Sequence, residues 1–377
     1  MSDTAVTPEG PLAREGAGRL GAAGDVLARS VGPIVLALVA GAVILLALGR
    51  NPIEFYGDIL EGGLTRTSGL QDSVTRMAPL LLIAAGLVVV FRANIWNLGI
   101  DGQFLLAGVI VAGVGPPLDR ALPNGLALGL LWLLAGAVGA VWTVIPAFLR
   151  ARYHSNEIIT TLMMTFIGIN VANLFIKGPF RDFESTNVPQ TSVLPREQRL
   201  PDLPGTRIHV GIVVALAAIL AVHYVMTRTA FGLRLNVLGA NPRAAAHFGL
   251  SVPRLVMASF AVSGAIIGLG GAAEILGVWG YVRADWNPAF GLIVVPLVFL
   301  ARLNALAVVP FVGLLAVLSI GGDLAARRAE LPNDFLLVLV GLILLFMAVT
   351  EYLGRTRGLG ASYLTAGLAA AVRRKGR

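Results

Sequence analysis

The residue most able to do chemistry in this chain is Glu274, which lies within the glycine-rich apolar run from Gly268 to Gly277. Its carboxylate can accept hydrogen bonds from hydroxyl or amide groups. An ionisable side chain inside a long apolar segment is costly to keep in a membrane and therefore suggests a function. Two interpretations remain open. Glu274 either lines a path for a polar solute or makes a structural hydrogen bond, between helices or at a broken helix.

Amide side chains form a second group of candidates. Asn170 and Asn173 lie three residues apart, so on a helix they share one face, where they line a polar seam or join two helices. Four more polar residues cluster where one apolar run gives way to the next: Asn94, Asn97, Asp101 and Gln103. These four either satisfy backbone groups of an irregular segment, which lipid cannot do, or touch a solute.

Other chemistry is missing from the sequence. There is no cysteine, which excludes disulfides and thiolate sites, and the four histidines lack paired metal-ligand spacing. The Gly-x-x-x-x-Gly-Lys-Ser/Thr phosphate loop and the Gly-x-Ser-x-Gly elbow do not occur. We therefore expect no catalytic residue, no cofactor and no metal. An intramembrane enzyme would need a Ser or Asp catalytic pair that we cannot place.

The composition indicates a membrane protein. Hydrophobic residues make up 56% of the chain and charged residues 13%, against about 25% charged in a soluble domain. The mean hydropathy is +0.80. The net charge of +8 is explained by arginines that flank membrane spans, so we expect no binding to nucleic acid.

These patterns predict an all-α, polytopic membrane helix bundle with about ten transmembrane spans. An even number puts both termini on one side, and the arginines place that side in the cytoplasm. Spans 77–91 and 288–301 are shorter than a full span, which indicates broken helices near a solute path, tilt, or misplaced boundaries. The predicted spans are 31–49, 77–91, 100–118, 125–149, 158–176, 208–227, 252–278, 288–301, 304–321 and 333–350.

The predicted organisation has one membrane domain and two tails. Residues 1–29 form a disordered cytoplasmic tail, 30–355 the membrane domain, and 356–377 a basic cytoplasmic tail. Within the domain, 177–207 is an external loop and 228–251 a cytoplasmic loop. Three aromatic residues follow the seventh span at the outer surface, where an aromatic belt explains them more simply than the alternative, a platform for a sugar: Trp279, Tyr281 and Trp286.

The cytoplasmic loop contains a short, capped helix. Asn241 is a good N-cap, and Pro242 suits the first helical position. Residues 243–248 follow with three alanines, and Gly249 supplies the left-handed residue that ends the helix, with Leu250 in cap contact. An isolated helix of two turns is unstable in water, so it must pack against its own bundle or a partner. An ordinary connector on the membrane surface is the alternative.

Three segments resemble sequence elements of bacterial ABC-transporter permeases of the branched-chain amino acid, ribose and nucleoside group. Residues 239–250 are similar to the Gly-x-Asn-x-x-Ala-Ala-x-x-x-Gly-Ile loop. Residues 91–103 are similar to the Asn-Ile-Gly-x-Glu-Gly-Gln element, although Asp101 stands where the family commonly has Glu and its side chain is shorter. Residues 156–163 are similar to Asn-Glu-Val-Ile-x-Thr-Leu-Met.

The resemblance implies a permease subunit of an ABC importer that forms the path for a simple sugar or nucleoside in the bacterial cytoplasmic membrane. Its expected partners are a separate ABC ATPase subunit, a second permease, homologous or identical, and an extracytoplasmic substrate-binding protein, all in or at a lipid bilayer. The expected ATPase-coupling helix comprises Gly239, Asn241, Pro242, Arg243, Ala244, Ala245 and Gly249. The candidate translocation path comprises Asn94, Asn97, Asp101, Gln103, Asn170, Asn173 and Glu274.

Two other functions compete with this one. A secondary transporter driven by an ion gradient would bury several carboxylates or charge pairs, whereas Glu274 stands almost alone in the sequence. In such a transporter the capped cytoplasmic helix would have no function. A non-transporting scaffold is the other alternative. For the docking helix, we expect a bulky charged residue at Ala245 to abolish transport without preventing membrane insertion.

Overall fold

The computed structural model describes residues 31–184 and 188–332 and, with gaps, 335–350. In these ranges the chain is helical, with three isolated β-bridges and no strand. The predicted all-α class is therefore confirmed. The tails predicted at 1–29 and 356–377 lie outside the described residues.

Seven helical segments of the described chain are long and apolar enough to cross a membrane. Two of them are composite: α5 (Asn124–Trp142) continues into α6 (Val144–Tyr153), and α11 (Val252–Glu274) continues into a π-helical turn, Ile275–Trp279. The others are α3 (Thr67–Arg92), α4 (Ile100–Ala121), α7 (Glu157–Lys177), α8 (Gly211–Arg228) and α13 (Val308–Arg328).

Shorter helices complete the described part of the chain. Helix α12 has 11 residues and is shorter than a full span, as the sequence predicted for residues 288–301. Span 77–91 was placed wrongly, because α3 begins at Thr67 and extends the apolar run across Asp72 and Arg76. The shorter helices are α1 (Val31–Ala47), α2 (Pro52–Leu60), α9 (Ala230–Ala240), α10 (Pro242–His247) and α12 (Phe290–Leu300).

The chain divides into two compact units, residues 57–325 and a smaller unit formed by the chain on either side. In the smaller unit, the Phe55 ring meets Phe335 edge-on at 5.4 Å between centroids. The Tyr56 hydroxyl donates to the Leu38 carbonyl at 2.6 Å. Phe55 and Tyr56 thereby connect α1 with Phe335.

Helix α11 is the centre of the larger unit and packs against α3, α4 and α5. Glycines allow its close approach to α5. A Cβ atom built on Gly139 would collide with the carbonyl oxygen of Gly264, and one on Gly268 would collide with that of Ala135. Such contacts replace the hydrophobic effect as the source of helix association in lipid.

The two ends of this unit differ. Helix α10 lies at the start of α11, and the loop residues 188–210 pack on the residues that follow α11. Leu194 N donates to Gly280 O at 2.8 Å, and Leu200 N donates to Leu276 O at 3.0 Å. The 28 residues of α11 and its π-helical turn are ~40 Å long. We call the two ends the α10 end and the loop end.

The glycine contact between α5 and α11 generates a stability prediction. Gly139→Ala should lower the free energy of unfolding by about 1–3 kcal/mol, because the new methyl group meets backbone. Gly129→Ala is the control, since no described atom lies within 4 Å of a Cβ on that glycine of the same helix. It should be neutral or slightly stabilising. Thermal unfolding in one detergent checks both, and equal midpoints for the two variants contradict the packing.

Candidate functional site

The start of α10 is capped as the sequence predicted. Asn241 Oδ1 accepts hydrogen bonds from Arg243 N at 3.0 Å and from Ala244 N at 3.1 Å. Pro242 occupies the first helical position. These bonds satisfy backbone donors that a helix start otherwise leaves to water.

The end of α10 also confirms the prediction. Gly249 has a φ of +78°, and its N–H donates to Ala246 O at 3.0 Å. Leu250 N donates to Ala245 O at 3.1 Å. This pair of bonds is the Schellman motif, which needs a residue with positive φ. The sequence therefore stops the helix on both sides.

One face of α10 packs on α9 and α11, and the other is exposed. Ala245 is on the packed face and is 0% exposed. A bulky charged residue at Ala245 is therefore not a suitable test of docking, because it would disrupt the packing of α10 on α9 and α11. The exposed face carries Arg243, His247 and Phe248, whose side chain is 81% exposed.

Helix α9 was not predicted from the sequence, which placed a single helix in 228–251. Thr229 caps its start by accepting from Gly232 N at 3.4 Å. Gly239, near its end, lies against the last turn of α3, where a Cβ atom would collide with the carbonyl oxygen of Arg92. The glycine in the loop that resembles the permease element is thus explained by packing: it lets α9, the helix that precedes α10, lie directly on the end of α3.

A cavity of about 230 Å³ lies between α10 and the bundle. Its lining includes Asn94, Arg150, His154 and Pro242. Asn94 has a φ of 55° and is exposed, so it lies at the α10 end rather than with the other polar residues of its cluster.

The residues between α3 and α4 form an irregular segment inside the bundle. Asn97 is 0% exposed, and its Oδ1 accepts from Gly99 N at 3.1 Å and from Gln103 Nε2 at 2.9 Å. Its Nδ2 donates to Gln103 Oε1 and to Ser263 Oγ, both at 3.2 Å. Asn97 therefore fills its hydrogen-bonding capacity within the protein, and Gln103 uses both of its side-chain polar atoms on Asn97.

Helix α7 supports the same segment from the other side. Leu98 N donates to Thr161 Oγ1 at 3.1 Å, and Thr165 Oγ1 donates to Leu98 O at 2.9 Å. Asp101 Oδ1 accepts from Gly291 N at 2.9 Å and so holds the start of α12. These contacts match the interpretation that side chains satisfy backbone groups freed by a break in the helix.

The two asparagines of α7 do not join this cluster. Asn170 is exposed and donates from Nδ2 to its own helix, at Phe166 O, over 2.8 Å. Asn173 Oδ1 accepts from Asp285 N at 2.8 Å and holds the segment before α12. The helix-joining interpretation fits Asn173 better than Asn170.

Glu274 is not alone, in contrast to the impression given by the sequence. It is 0% exposed, and its Oε1 accepts from Arg76 Nη1 at 3.0 Å and from Trp279 Nε1 at 2.9 Å. Its other oxygen, Oε2, is buried and has no hydrogen-bond partner among the described residues. The arrangement joins α3, α11 and the π-helical turn at the loop end.

Aromatic rings gather beside this ion pair. The Arg76 guanidinium lies over the Phe290 ring, 5.6 Å from its centroid. Trp279 meets Trp286 at 5.9 Å, and Phe104 meets Phe290 at 5.6 Å. We call Phe104, Trp279, Trp286 and Phe290 the aromatic cluster. Two of these side chains, Trp279 and Trp286, were interpreted as part of a membrane belt, but they pack on one another, and Trp279 also binds the buried Glu274.

Sequence reasoning missed Arg76, Phe104 and Phe290. Arg76 lies one residue before the predicted start of its span, where a charge is usually taken as the end of an apolar run. Its partner Glu274 is 198 residues away. One feature of the sequence could have revealed Arg76 as part of the span: the helical pattern continues through Ser73 and Arg76 into the apolar residues that follow.

A buried histidine lies in the loop before α8. His209 Nδ1 accepts from Gly211 N at 3.1 Å, and its Nε2 is buried without a partner among the described residues. Burial lowers the pKa of His209 to about 4, and the carboxylate of Asp202 opposes this shift. The ring is therefore neutral in the folded protein.

The sequence of this chain matches a known protein family. The model of the branched-chain amino acid transport system permease component matches residues 69–348. The chain belongs to this family. The match spans α3 to α13 and includes α10, the irregular segment 93–99 and the Arg76–Glu274 pair. The transport role implied by the three sequence elements is thereby confirmed.

This permease has relatives with named solutes. It is 33% identical over 336 residues to the glucose ABC transporter permease protein TsgB13 of Haloferax volcanii, covering 86% of this chain and 87% of that protein. It is 29% identical over 318 residues to the guanosine ABC transporter permease protein NupP of Bacillus subtilis, covering 84% and 91%. The nucleoside ABC transporter permease protein NupB of Lactococcus lactis is 26% identical over 325 residues, with 84% and 89% covered.

The pKa of His209 predicts how the stability of this permease depends on pH. The unfolded chain gains a proton near pH 6.5, whereas the folded chain gains it only near pH 4. Stability is therefore complete above pH 6.5 and falls as the pH is lowered towards 4, by roughly 3 kcal/mol. Thermal unfolding across this range measures the loss.

His209→Asn should flatten that dependence, since the Asn side-chain oxygen can still accept from Gly211 N. His247→Asn, on the exposed α10, is the matched control and should keep the wild-type profile. Identical profiles for wild type and His209→Asn contradict the assignment.

Proposed function

We propose that this chain is a transmembrane subunit of an ABC importer that carries a simple sugar or a nucleoside across the cytoplasmic membrane of a prokaryote. A separate ATPase supplies the energy. A second permease, identical or homologous, completes the path, and an extracytoplasmic binding protein delivers the solute. The relatives named for glucose, guanosine and nucleosides support this choice of solutes.

The observation that carries the proposal is α10. Its six helical residues are too few to be stable alone, yet both ends are capped and one face is exposed. Arg243, His247 and Phe248 on this face fit a groove of a partner. Because Gly239 places α9 against the end of α3, a push on α10 reaches α3 and α11 through packed backbone. We assign the ATPase to this surface.

The proposed topology has ten spans with both termini in the cytoplasm. Seven long helices supply seven of them, and α1, α12 and the helical residues at 335–350 supply the other three. Helix α12 is only ~16 Å long. It nevertheless runs beside α3 from Arg76, which lies over Phe290, to the end of α3, where Phe91 stacks on Phe299 at 4.9 Å between ring centroids. The α10 end is then cytoplasmic and the loop end external, with the arginine distribution in agreement.

A second candidate function is an ion-driven secondary transporter. The Arg76–Glu274 pair favours it, since such transporters bury charge pairs near the solute path. Uptake into vesicles that contain this chain alone, with a proton or sodium gradient and no ATP, would support that candidate. We expect no such uptake.

The docking role of α10 is tested by Phe248→Ala in the reconstituted importer. Loss of an exposed aromatic anchor from an interface costs about 2 kcal/mol or more, so ATP-driven uptake and ATPase co-purification should fall at least tenfold. Insertion of the permease into the membrane should not change, because Phe248 packs on little of its own chain.

Phe183→Ala is the matched control. Phe183 is 78% exposed and lies in the loop at the other end of the bundle, so ATPase co-purification should persist. Normal uptake and normal ATPase binding by Phe248→Ala would refute the docking role.

A further inference from the structure

The unpaired oxygen of Glu274 needs a partner that the described residues do not supply. Its Oε1 already accepts from Arg76 and Trp279, whereas Oε2 is fully buried and accepts from none of the described donors. Buried polar atoms of native proteins are satisfied by protein groups, ordered water or ligands. A carboxylate oxygen in this state points to a donor that arrives from outside the chain.

A second unsatisfied oxygen lies close by. Thr75 Oγ1 is also buried without a partner in the described part of the chain. Thr75 precedes Arg76 on α3, and it lines a cavity of about 280 Å³ together with Gly277 and Val278 of the π-helical turn. These two residues lie between Glu274 and Trp279 in the sequence. The cavity reaches the loop end, and the rest of its lining is rich in charge, with Asp72, Arg196, Arg199, Asp202 and Arg207.

The charged and aromatic side chains near Glu274 Oε2 and Thr75 Oγ1 indicate the kind of ligand. Arg76 and Glu274 neutralise each other over 3.0 Å. The two aspartates and three arginines that line the cavity also nearly balance, so the site favours a polar molecule without a large net charge. A zwitterionic amino acid would have to separate the pair to bind both charges. The aromatic cluster adds apolar faces, and small-molecule sites typically combine such faces with a few convergent polar groups.

We propose that Thr75, Arg76, Glu274 and Trp279 form a binding site for the hydroxyl groups of a sugar ring. Glu274 Oε2 and Thr75 Oγ1 accept from ring hydroxyls, and the remaining N–H groups of Arg76 donate to ring oxygens. The indole of Trp279 packs on the C–H face of the ring. The ring belongs either to a free hexose or to the ribose of a nucleoside. This site rests on the proposed function as a sugar or nucleoside importer.

The site is tested in the complete importer reconstituted in proteoliposomes, with D-glucose, guanosine, 2′,3′-dideoxyguanosine and L-leucine as probes. Uptake of glucose or of guanosine identifies the source of the ring. Dideoxyguanosine, which lacks both ribose hydroxyls, should be transported about tenfold less well than guanosine if guanosine is the solute. L-leucine should not be transported.

Glu274→Gln and Trp279→Ala should each raise the KM for the transported probe about tenfold, while ATPase co-purification stays normal. Trp279→Phe keeps an apolar ring and should recover part of the affinity. Glu157→Gln is the matched control, because Glu157 is also a buried carboxylate paired with an arginine, Arg150, at 3.3 Å. Its KM should stay at the wild-type value.

Three results overturn the site: an unchanged KM in Glu274→Gln, equal uptake of guanosine and dideoxyguanosine, or transport of L-leucine alone. An equal loss in Glu274→Gln and Glu157→Gln, with reduced thermal stability of both, also overturns it and makes the ion pair a structural brace. The absence of ATP-driven uptake by the wild-type importer is a different failure, since it refutes the proposed function itself.

Discussion

Every backbone group of this chain that lies in the bilayer must find its hydrogen bond inside the protein, because lipid offers none. This constraint is met easily along the long helices and becomes demanding where a helix breaks. The irregular segment 93–99 is one such break, and Asn97, Thr161 and Thr165 satisfy it. The polar residues of the bundle are thus fixed first by the needs of the backbone.

The second break lies at the other end of the bundle and has a different result. After Glu274 the helix widens into the π-helical turn Ile275–Trp279, and Gly280 ends it with a φ of 72°. The wider turn brings the Trp279 indole back onto Glu274. π-Helical turns of this kind occur often at functional sites. Here the side chains are not fully used by the backbone, and one carboxylate oxygen is left for a ligand.

The glycine contacts of α11 connect these two ends. Because Gly264 and Gly268 pack directly on the backbone of α5, α11 moves with its neighbours rather than independently of them. Helix α10 lies at one end of this packed group and the Arg76–Glu274 pair at the other. In the proposed function, ATP hydrolysis is therefore coupled to solute release by movement of a rigid body, not by transmission along a flexible chain.

Local features of the structure were predictable from the sequence, and long-range ones were not. The caps of α10 follow from Asn241, Pro242 and Gly249, which act within a few residues of themselves. Helix α9 was missed because its glycines, which read as loop residues, serve close packing on α3 and α8. The partner of Glu274 was missed because no local pattern specifies a contact across 198 residues.

The most direct measurement is cysteine cross-linking in the assembled importer. The chain has no cysteine of its own, so Phe248→Cys and Phe183→Cys each introduce a single thiol at opposite ends of the bundle. The account predicts that a short thiol cross-linker joins position 248 to the ATPase and leaves position 183 unlinked to it. Cross-linking of the ATPase at position 183, or none at position 248, would contradict it.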